Sequence, residues 1–437
     1  MRPDGDDVRV GQELDLRIEK AVYRGLGLAR HEGRVVFVPR GLPGERLRAR
    51  ITSVERGFAR AATEAILEPG SGRRPAPCPH AERCGGCVYQ ELDYPSQVEV
   101  KRAILVEALQ RAKVPFEGAI DLARSPETGW RTRATFHFDA SSGALHLGLH
   151  EEGTHTVVEV ESCLQLTPAM DEAMRGLKQA LGARRDLWPR LGNLHLAAGL
   201  DSGLVATLET SLAAADVAAL VPLRSAAPGL TGFAALTEER GRSTFVLLHG
   251  SPWLAHTVAG LPLKSHARAF FQGNRFLVED LVRSVLDLAP NEGPALDLYA
   301  GVGVFALPLA KRGQAVRAVE ADEIAADDAR ENARRLELSG FRMETSDVRR
   351  ALADWPAKTG EVVVLDPPRT GAGLDVVELI AARRPRAVVY VSCDPPTLGR
   401  DLAHFAKQGY RADALRAFDM FPDTFHVETV VRLLPTS

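Results

Sequence analysis

At 437 residues the chain is long enough for two or three domains, each with its own core, and its 45% hydrophobic and 25% charged residues are ordinary for a globular protein. The net charge of −3 argues against general binding of polyanions. No stretch approaches the ~20 apolar residues of a membrane span, and the first ten residues hold no apolar run of the signal-peptide kind, so a cytoplasmic protein without a membrane partner is expected. The cysteines are Cys78, Cys84, Cys87, Cys163 and Cys393. An odd number makes a disulfide framework unexpected, and four plus one is the natural partition.

Five strand-like runs open the chain: Glu13–Val22, Leu26–Ala29, Val35–Val38, Leu47–Val54 and Ala59–Ile66, punctuated by glycines. Five short strands in so few residues predict a small closed barrel of the oligonucleotide-binding type over residues 1–68. Between Arg34 and Arg60 stand seven arginines against two glutamates, a local net charge of 7 − 2 = +5. A solvated arginine surface gives the same count, but on such a barrel it points to RNA.

A Pro/Gly-rich linker leads to Cys78-x5-Cys84-Gly85-Gly86-Cys87. Three cysteines this close, with glycines that let the backbone wrap tightly, are a metal signature, and Cys163 is the spare thiol for a fourth ligand. Four thiolates suit zinc or an iron–sulfur cluster equally, and spacing does not choose between them. Helical periodicity follows from Pro95 to Ala112. Beyond Trp130, Arg131 and Arg133 precede a strand at Ala134–Phe138 that pairs as a hairpin with Gly143–Leu149, opening an α+β region that runs to residue 265.

From residue 266 to 437 strand and helix alternate, predicting a doubly wound α/β domain. The turn Asp297-x-Tyr299-x-Gly301-x-Gly303 follows a strand, and Glu320 stands 320 − 297 = 23 residues after Asp297 at the next strand end. Glycines allow close backbone approach, and a carboxylate there can accept from ribose hydroxyls, so a nucleoside-bearing cofactor is expected. The terminal strand pair favours S-adenosylmethionine over a dinucleotide. Two buried strands then end alike, one in Asp366-Pro367-Pro368-Arg369 and one in Ser392-Cys393-Asp394-Pro395. Each delivers a reactive side chain to the edge where such sheets bind ligands. For an isolated cysteine the inert buried reading would lead; the neighbouring acidic turn reverses it.

With these motifs the chain resembles the RNA uridine-5-methyltransferase family along nearly its whole length. The shared text is Leu42-Pro43-Gly44-Glu45, the cysteine cluster with Cys163, Phe270-Phe271-Gln272-x-Asn274, Leu296–Gly303, both strand ends, and Asp419-Met420-Phe421-Pro422-x-Thr424-x-His426-Val427-Glu428. The resemblance implies an N-terminal TRAM barrel (1–68), a central iron–sulfur and RNA-binding domain (69–265) whose helix 95–112 packs on the catalytic domain, and a class I Rossmann-like methyltransferase domain (266–437). It selects a 4Fe–4S cluster on Cys78, Cys84, Cys87 and Cys163 over zinc. It puts S-adenosylmethionine contacts on Gln272, Tyr299, Glu320, Asp347 and Asp366, the nucleophile on Cys393 and the general base on Glu428, in a monomer acting on RNA, 23S rRNA before tRNA. Three positions depart from the family pattern: Ala300 for a cysteine, Val304 for an asparagine, and Asp394 for an asparagine beside the nucleophile.

Carbon 5 of uracil is too poor a nucleophile to take a methyl group unaided. A thiolate added at carbon 6 makes it an enolate carbon, and a base must later remove the carbon-5 proton so that the cysteine can leave. Cys393 and Glu428 suit those roles. An amino-group methyltransferase also has an acidic Pro-Pro strand end but needs no nucleophilic cysteine, and a non-catalytic RNA-binding protein needs neither residue.

Overall fold

The computed structural model describes residues 8–116, 118–239 and 241–436. Residues 1–7 of the expected 1–68 barrel lie outside the described residues. The barrel strands are β1 (Glu13–Val22), β2 (Leu26–His31), β3 (Arg34–Pro39), β4 (Arg46–Glu55) and β5 (Phe58–Glu68). They close in the order β1-β2-β3-β5-β4. Alternation decides the faces: Leu14, Leu16 and Ile18 point into the barrel core while Glu13, Asp15 and Arg17 point out.

The arginine excess does not become a uniformly basic face. Strands β1 and β5 flank β4 and supply acids: Arg46 meets Asp15 at 3.3 Å and Glu68 at 3.1 Å, Arg48 meets Asp15 at 3.2 Å, and Arg50 meets Glu13 at 2.7 Å as well as Glu64. A count along one stretch of chain misses partners brought in by strand pairing. Arg40 serves the interior instead. Its guanidinium donates to the carbonyls of Ala81, Cys84 (2.9 Å) and Cys87 (3.3 Å), fastening the cysteine loop to the barrel.

After that loop come α1 (Tyr94–Arg111), started by the Asp93 side chain accepting from Ser96 N at 2.9 Å, and a two-residue strand β6 (Leu122–Ala123). The central sheet contains β7 (Arg133–Asp139), β8 (His146–His150), β9 (Val157–Glu159), β10 (Leu191–Ala198), β11 (Leu204–Thr210), β12 (Gly232–Glu239) and β13 (Arg242–Gly250). Its order is β13-β12-β11-β10-β7-β8-β9. Helix α2 (Pro168–Gly182) lays Met170, Met174 and Leu177 on one face, against Phe136, Leu194 and Leu208.

The hairpin β14 (Trp253–Val258) and β15 (Leu261–His266) follows. Val258, Leu261 and Leu263 belong to the core of the C-terminal domain, so the unit begins before residue 266, the expected border. The remaining elements are α3 (Val278–Leu288), β16 (Ala295–Leu298), α4 (Ala306–Lys311), β17 (Val316–Glu320), α5 (Glu323–Arg335), β18 (Phe341–Thr345), α6 (Val348–Asp354), β19 (Val362–Leu365), α7 (Leu374–Ala382), β20 (Ala387–Ser392), α8 (Pro395–Lys407), β21 (Tyr410–Phe418) and β22 (Glu428–Pro435). Their sheet runs β18-β17-β16-β19-β20-β22-β21-β6, parallel from β18 to β20 with β22 antiparallel to β20. The 69–265 segment is therefore not one body: β6 extends the C-terminal sheet, and α1 packs against its α8. No helix among the described residues is long and apolar enough to cross a membrane.

The last strand starts at Glu428, because residues 419–427 form a loop held from several sides. Lys101 on α1 donates to Asp419 at 2.6 Å and to the Phe421 carbonyl at 2.9 Å, with both charged side chains fully buried. Asp423 accepts from the amides of Gln90 (2.9 Å), Gln97 (2.9 Å) and Gln165 (2.7 Å). Its carbonyl accepts from Val88 N at 2.8 Å and Tyr89 N at 2.9 Å. Removing one partner of a buried ion pair strands the other charge. Lys101→Met should therefore lower unfolding free energy by about 3–5 kcal/mol in urea titration, and a loss under about 1 kcal/mol would make the pair dispensable.

Candidate active site

All five parallel strands end at one edge of the sheet, and their sequels carry the expected site residues. Tyr299 follows β16, Glu320 closes β17, Asp347 follows β18, Asp366 follows β19 and Cys393 follows β20. The direction of β22 is opposite, so its first residue, Glu428, reaches the same edge. Register fixes the meeting: Val391 pairs with Val430 and Ser392 with Thr429, which brings Cys393 opposite Glu428.

These residues surround a cavity of about 880 Å³ between the C-terminal sheet edge and the central sheet. Gln272, Tyr299, Glu320, Asp366, Cys393 and Glu428 all line it. Asp347 does not. Its half-exposed carboxylate accepts from Arg349 N (3.0 Å) and Arg350 N (3.3 Å) to cap α6, near enough to Tyr299 for its charge to raise that hydroxyl's pKa alongside burial.

The glycine turn is shaped by its own strand end. Tyr299 takes a left-handed φ of 63°, Gly301 53° and Gly303 85°. One Glu320 oxygen accepts from Gly301 N at 2.8 Å and the other from Asp322 N at 2.8 Å, so this carboxylate ties the turn to the start of α5 while lining the cavity. Val304 points into the apolar core, which accounts for its lack of a polar side chain. Gln272 donates to Asp366 Oδ2 at 3.0 Å and so links the Phe-Phe-Gln segment to the Pro-Pro strand end.

Burial dominates the electrostatics. It pushes the Cys393 thiol up to about 12, with the charges of Glu428, Asp366 and Asp394 adding and Arg369 opposing. It raises Glu428 well above the usual carboxylate range, with Asp366 adding and Arg369 again opposing. Asp366 is raised by burial too, against the pull of Gln272. Burial thus weakens all three acids, and Arg369 opposes the rise at Cys393 and Glu428.

Sequence reasoning missed the wall supplied by the central sheet: Thr135 on β7, His195 on β10 and Thr207 on β11. No local motif marks them, because the cavity is made where two sheets meet. Arg133 had a signal, standing beside Arg131 before a strand. It donates to the Ala267 carbonyl at 2.7 Å, and its Nη1 finds no acceptor among the described residues. Phe270, within the Phe-Phe-Gln motif, is 64% exposed at the cavity wall.

Cys78, Cys84, Cys87 and Cys163 line a second, small cavity together with His80 and Gln165. Among the described residues no three His, Cys, Asp or Glu side chains converge on a single-ion position. Burial raises the thiols of Cys78 and Cys84, and that of Cys87 up to about 12.

Residues 259–435 match the profile of the tRNA (Uracil-5-)-methyltransferase family, and residues 7–62 match the TRAM domain. A Pseudomonas aeruginosa protein named 23S rRNA (uracil(1939)-C(5))-methyltransferase RlmD is 34% identical over 98% of this chain and 95% of its own. The chain belongs to the uracil-5-methyltransferase family. An uncharacterised RNA methyltransferase of Streptomyces avermitilis is 33% identical over 98% of this chain and 99% of its own. The fold matches that of the Pyrococcus abyssi tRNA (uracil-54, C5)-methyltransferase solved with S-adenosyl-L-homocysteine, at a TM-score of 0.75 and 24% identity, covering 96% of this chain and 100% of that one. The protein is an S-adenosylmethionine-dependent methyltransferase with a TRAM barrel. Because Glu320 holds the glycine turn, Glu320→Ala should weaken S-adenosylhomocysteine binding about tenfold or more in calorimetry, while Cys393→Ala leaves it within about twofold. Equal affinities for wild type and Glu320→Ala would remove Glu320 from the cofactor site.

Proposed function

We propose that the protein transfers the methyl group of S-adenosylmethionine to carbon 5 of a uridine in 23S rRNA. The observation that carries this reading is that Cys393, just past β20, and Glu428, the first residue of the neighbouring β22, line one cavity close enough for the charge of Glu428 to act on the thiol. An amino-group methyltransferase has no use for that pair. The ribosomal substrate is favoured by the named Pseudomonas relative, which matches end to end, barrel included.

In this reading Gln272, Tyr299, Glu320 and Asp366 hold the cofactor along the strand ends, with Asp347 at the rim. The target uridine leaves its stack to enter the cavity. Cys393 loses its proton to solvent and adds as the thiolate Sγ to carbon 6, and electron density moves to carbon 5 and the carbonyl oxygen at carbon 4. Carbon 5 takes the methyl group as the methyl–sulfur bond of the sulfonium breaks, leaving S-adenosylhomocysteine. Glu428 then accepts the carbon-5 proton, and the sulfur–carbon 6 bond breaks to restore the ring. A carboxyl raised by burial suits the acceptor role, because once ionised it is a stronger base than a solvated carboxylate. Arg369 is the cation positioned to favour the thiolate.

Cys393→Ala should abolish methylation and any covalent adduct. Glu428→Gln should permit addition and methyl transfer but stall before elimination, accumulating methylated RNA bound to protein on denaturing gels. RNA with fluorine at carbon 5 should trap the wild type likewise. Adduct formation should rise with pH between about 7 and 9, since the thiol lies above its usual range and its ionised fraction grows with pH. Methylation by Cys393→Ala would end this mechanism and revive the amino-group reading.

We also infer that Cys78, Cys84, Cys87 and Cys163 hold a 4Fe–4S cluster. Four thiols around one cavity fit its donor set. The resemblance of the cysteine spacing to that of the family, rather than the geometry, selects a polynuclear centre over zinc. The cluster would brace the loop that Arg40, Gln90 and Gln165 tie to the barrel and to Asp423; methyl transfer from a sulfonium needs no electrons. Anaerobically purified protein should be brown, with about four iron and four sulfide per chain, and Cys84→Ala should lose both colour and thermal stability. Colourless protein with stoichiometric zinc would overturn the assignment.

A further inference from the structure

The Tyr23 hydroxyl, just past β1 of the barrel, donates to Asp394 Oδ2 at 2.6 Å. Asp394 stands next to Cys393. Its other oxygen accepts from Thr397 N at 2.9 Å and starts α8, and its own N–H donates to Ser392 Oγ at 3.2 Å. The Tyr23 ring meets Phe425, in the 419–427 loop, edge-on at 5.1 Å between centroids. A barrel residue is thereby wedged between the cysteine turn and the loop that leads to Glu428.

Asp394 is a carboxylate, so this chain places a negative charge beside a thiol that must ionise. The groups facing Cys393 are Glu428 from β22, Asp366 and Arg369 from the end of β19, His426 from the loop, and Asp394. Arg369 is the one cation among them. A hydrogen bond to a carboxylate draws its charge toward the donor and weakens its field elsewhere.

We propose that Tyr23 is a positioning residue for the nucleophile: the barrel hydroxyl fixes the Ser392–Asp394 turn and draws the charge of Asp394 away from Cys393. The barrel then has a part in catalysis that needs no contact between Tyr23 and RNA. The inference rests on Cys393 being the nucleophile, but its test does not require methylation to be the reaction.

Alkylation of Cys393 by iodoacetamide in the full-length protein, followed against pH by peptide mass spectrometry, reads thiolate formation directly. Tyr23→Phe keeps the ring on Phe425 and removes only the hydroxyl. It should move the alkylation midpoint up by about half a pH unit or more, and lower kcat for RNA methylation about threefold near neutral pH, recovering at higher pH with KM for RNA within about twofold. Asp394→Asn keeps an acceptor for Thr397 but removes the charge. It should move the midpoint down, and adding Tyr23→Phe to it should then change nothing. A Tyr23→Phe midpoint that overlays the wild type, or an equal upward shift with and without Asp394→Asn, overturns the proposal. If the wild type methylates no uridine, the functional reading fails while the alkylation comparison still decides the role of Tyr23.

Discussion

The geometry of the site depends on Asp423, whose carboxylate and backbone gather three distant parts of the chain. Gln90 comes just after the cysteine loop, Gln97 is on α1 and Gln165 comes just after Cys163. All three amides converge on one carboxylate in the loop that delivers Glu428. Burial pushes the Asp423 carboxyl up, and the amides of Gln97 and Gln165 oppose the rise. Such a centre is stable only when every partner is present, because an unfilled bond there leaves a polar group without water. The cysteine cavity and the strand carrying Glu428 therefore share one set of contacts, although residues 88 and 428 are far apart in sequence.

The same contacts hold the short 419–427 loop that leads into Glu428. Strand pairing alone brings Glu428 opposite Cys393. What the loop adds is the path: Asp423 adopts a left-handed φ of 64°, Lys101 holds Asp419, and Phe421 reaches the cavity wall. On the other side Arg40 and Tyr23 bring the barrel against the cysteine loop and the turn that carries Cys393. Gly25, also at a left-handed φ, permits that approach, since a Cβ there would stand 2.8 Å from Val88. The barrel thus packs behind the cysteine loop and the turn that carries Cys393.

Much of this was legible in the sequence where local pattern decides structure. Alternation in Glu13–Val22 marks a barrel strand, and the apolar runs ending at Asp366 and Cys393 mark buried parallel strands whose ends face ligand. Tyr299, Glu320 and Cys393 follow from those ends. The capping role of Asp347 at α6 was not legible, because it depends on where the helix starts. Strand β6 was invisible: two residues have no period, and only β21 gives them a place. The charge of β4 was misread for a related reason, since Asp15 and Glu64 become its neighbours only on folding. Thr135, His195 and Thr207 carry no signature because their role comes from the meeting of two sheets.

The most direct test of the account is a map of 5-methyluridine in 23S rRNA and in tRNA, by mass spectrometry, from a strain lacking this gene and from the same strain given back the wild-type or the Cys393→Ala protein. The account predicts that one 23S rRNA position loses its methyl group, that the wild type restores it, that Cys393→Ala does not, and that tRNA is unchanged. An unaltered 23S rRNA pattern, or restoration by Cys393→Ala, would contradict it.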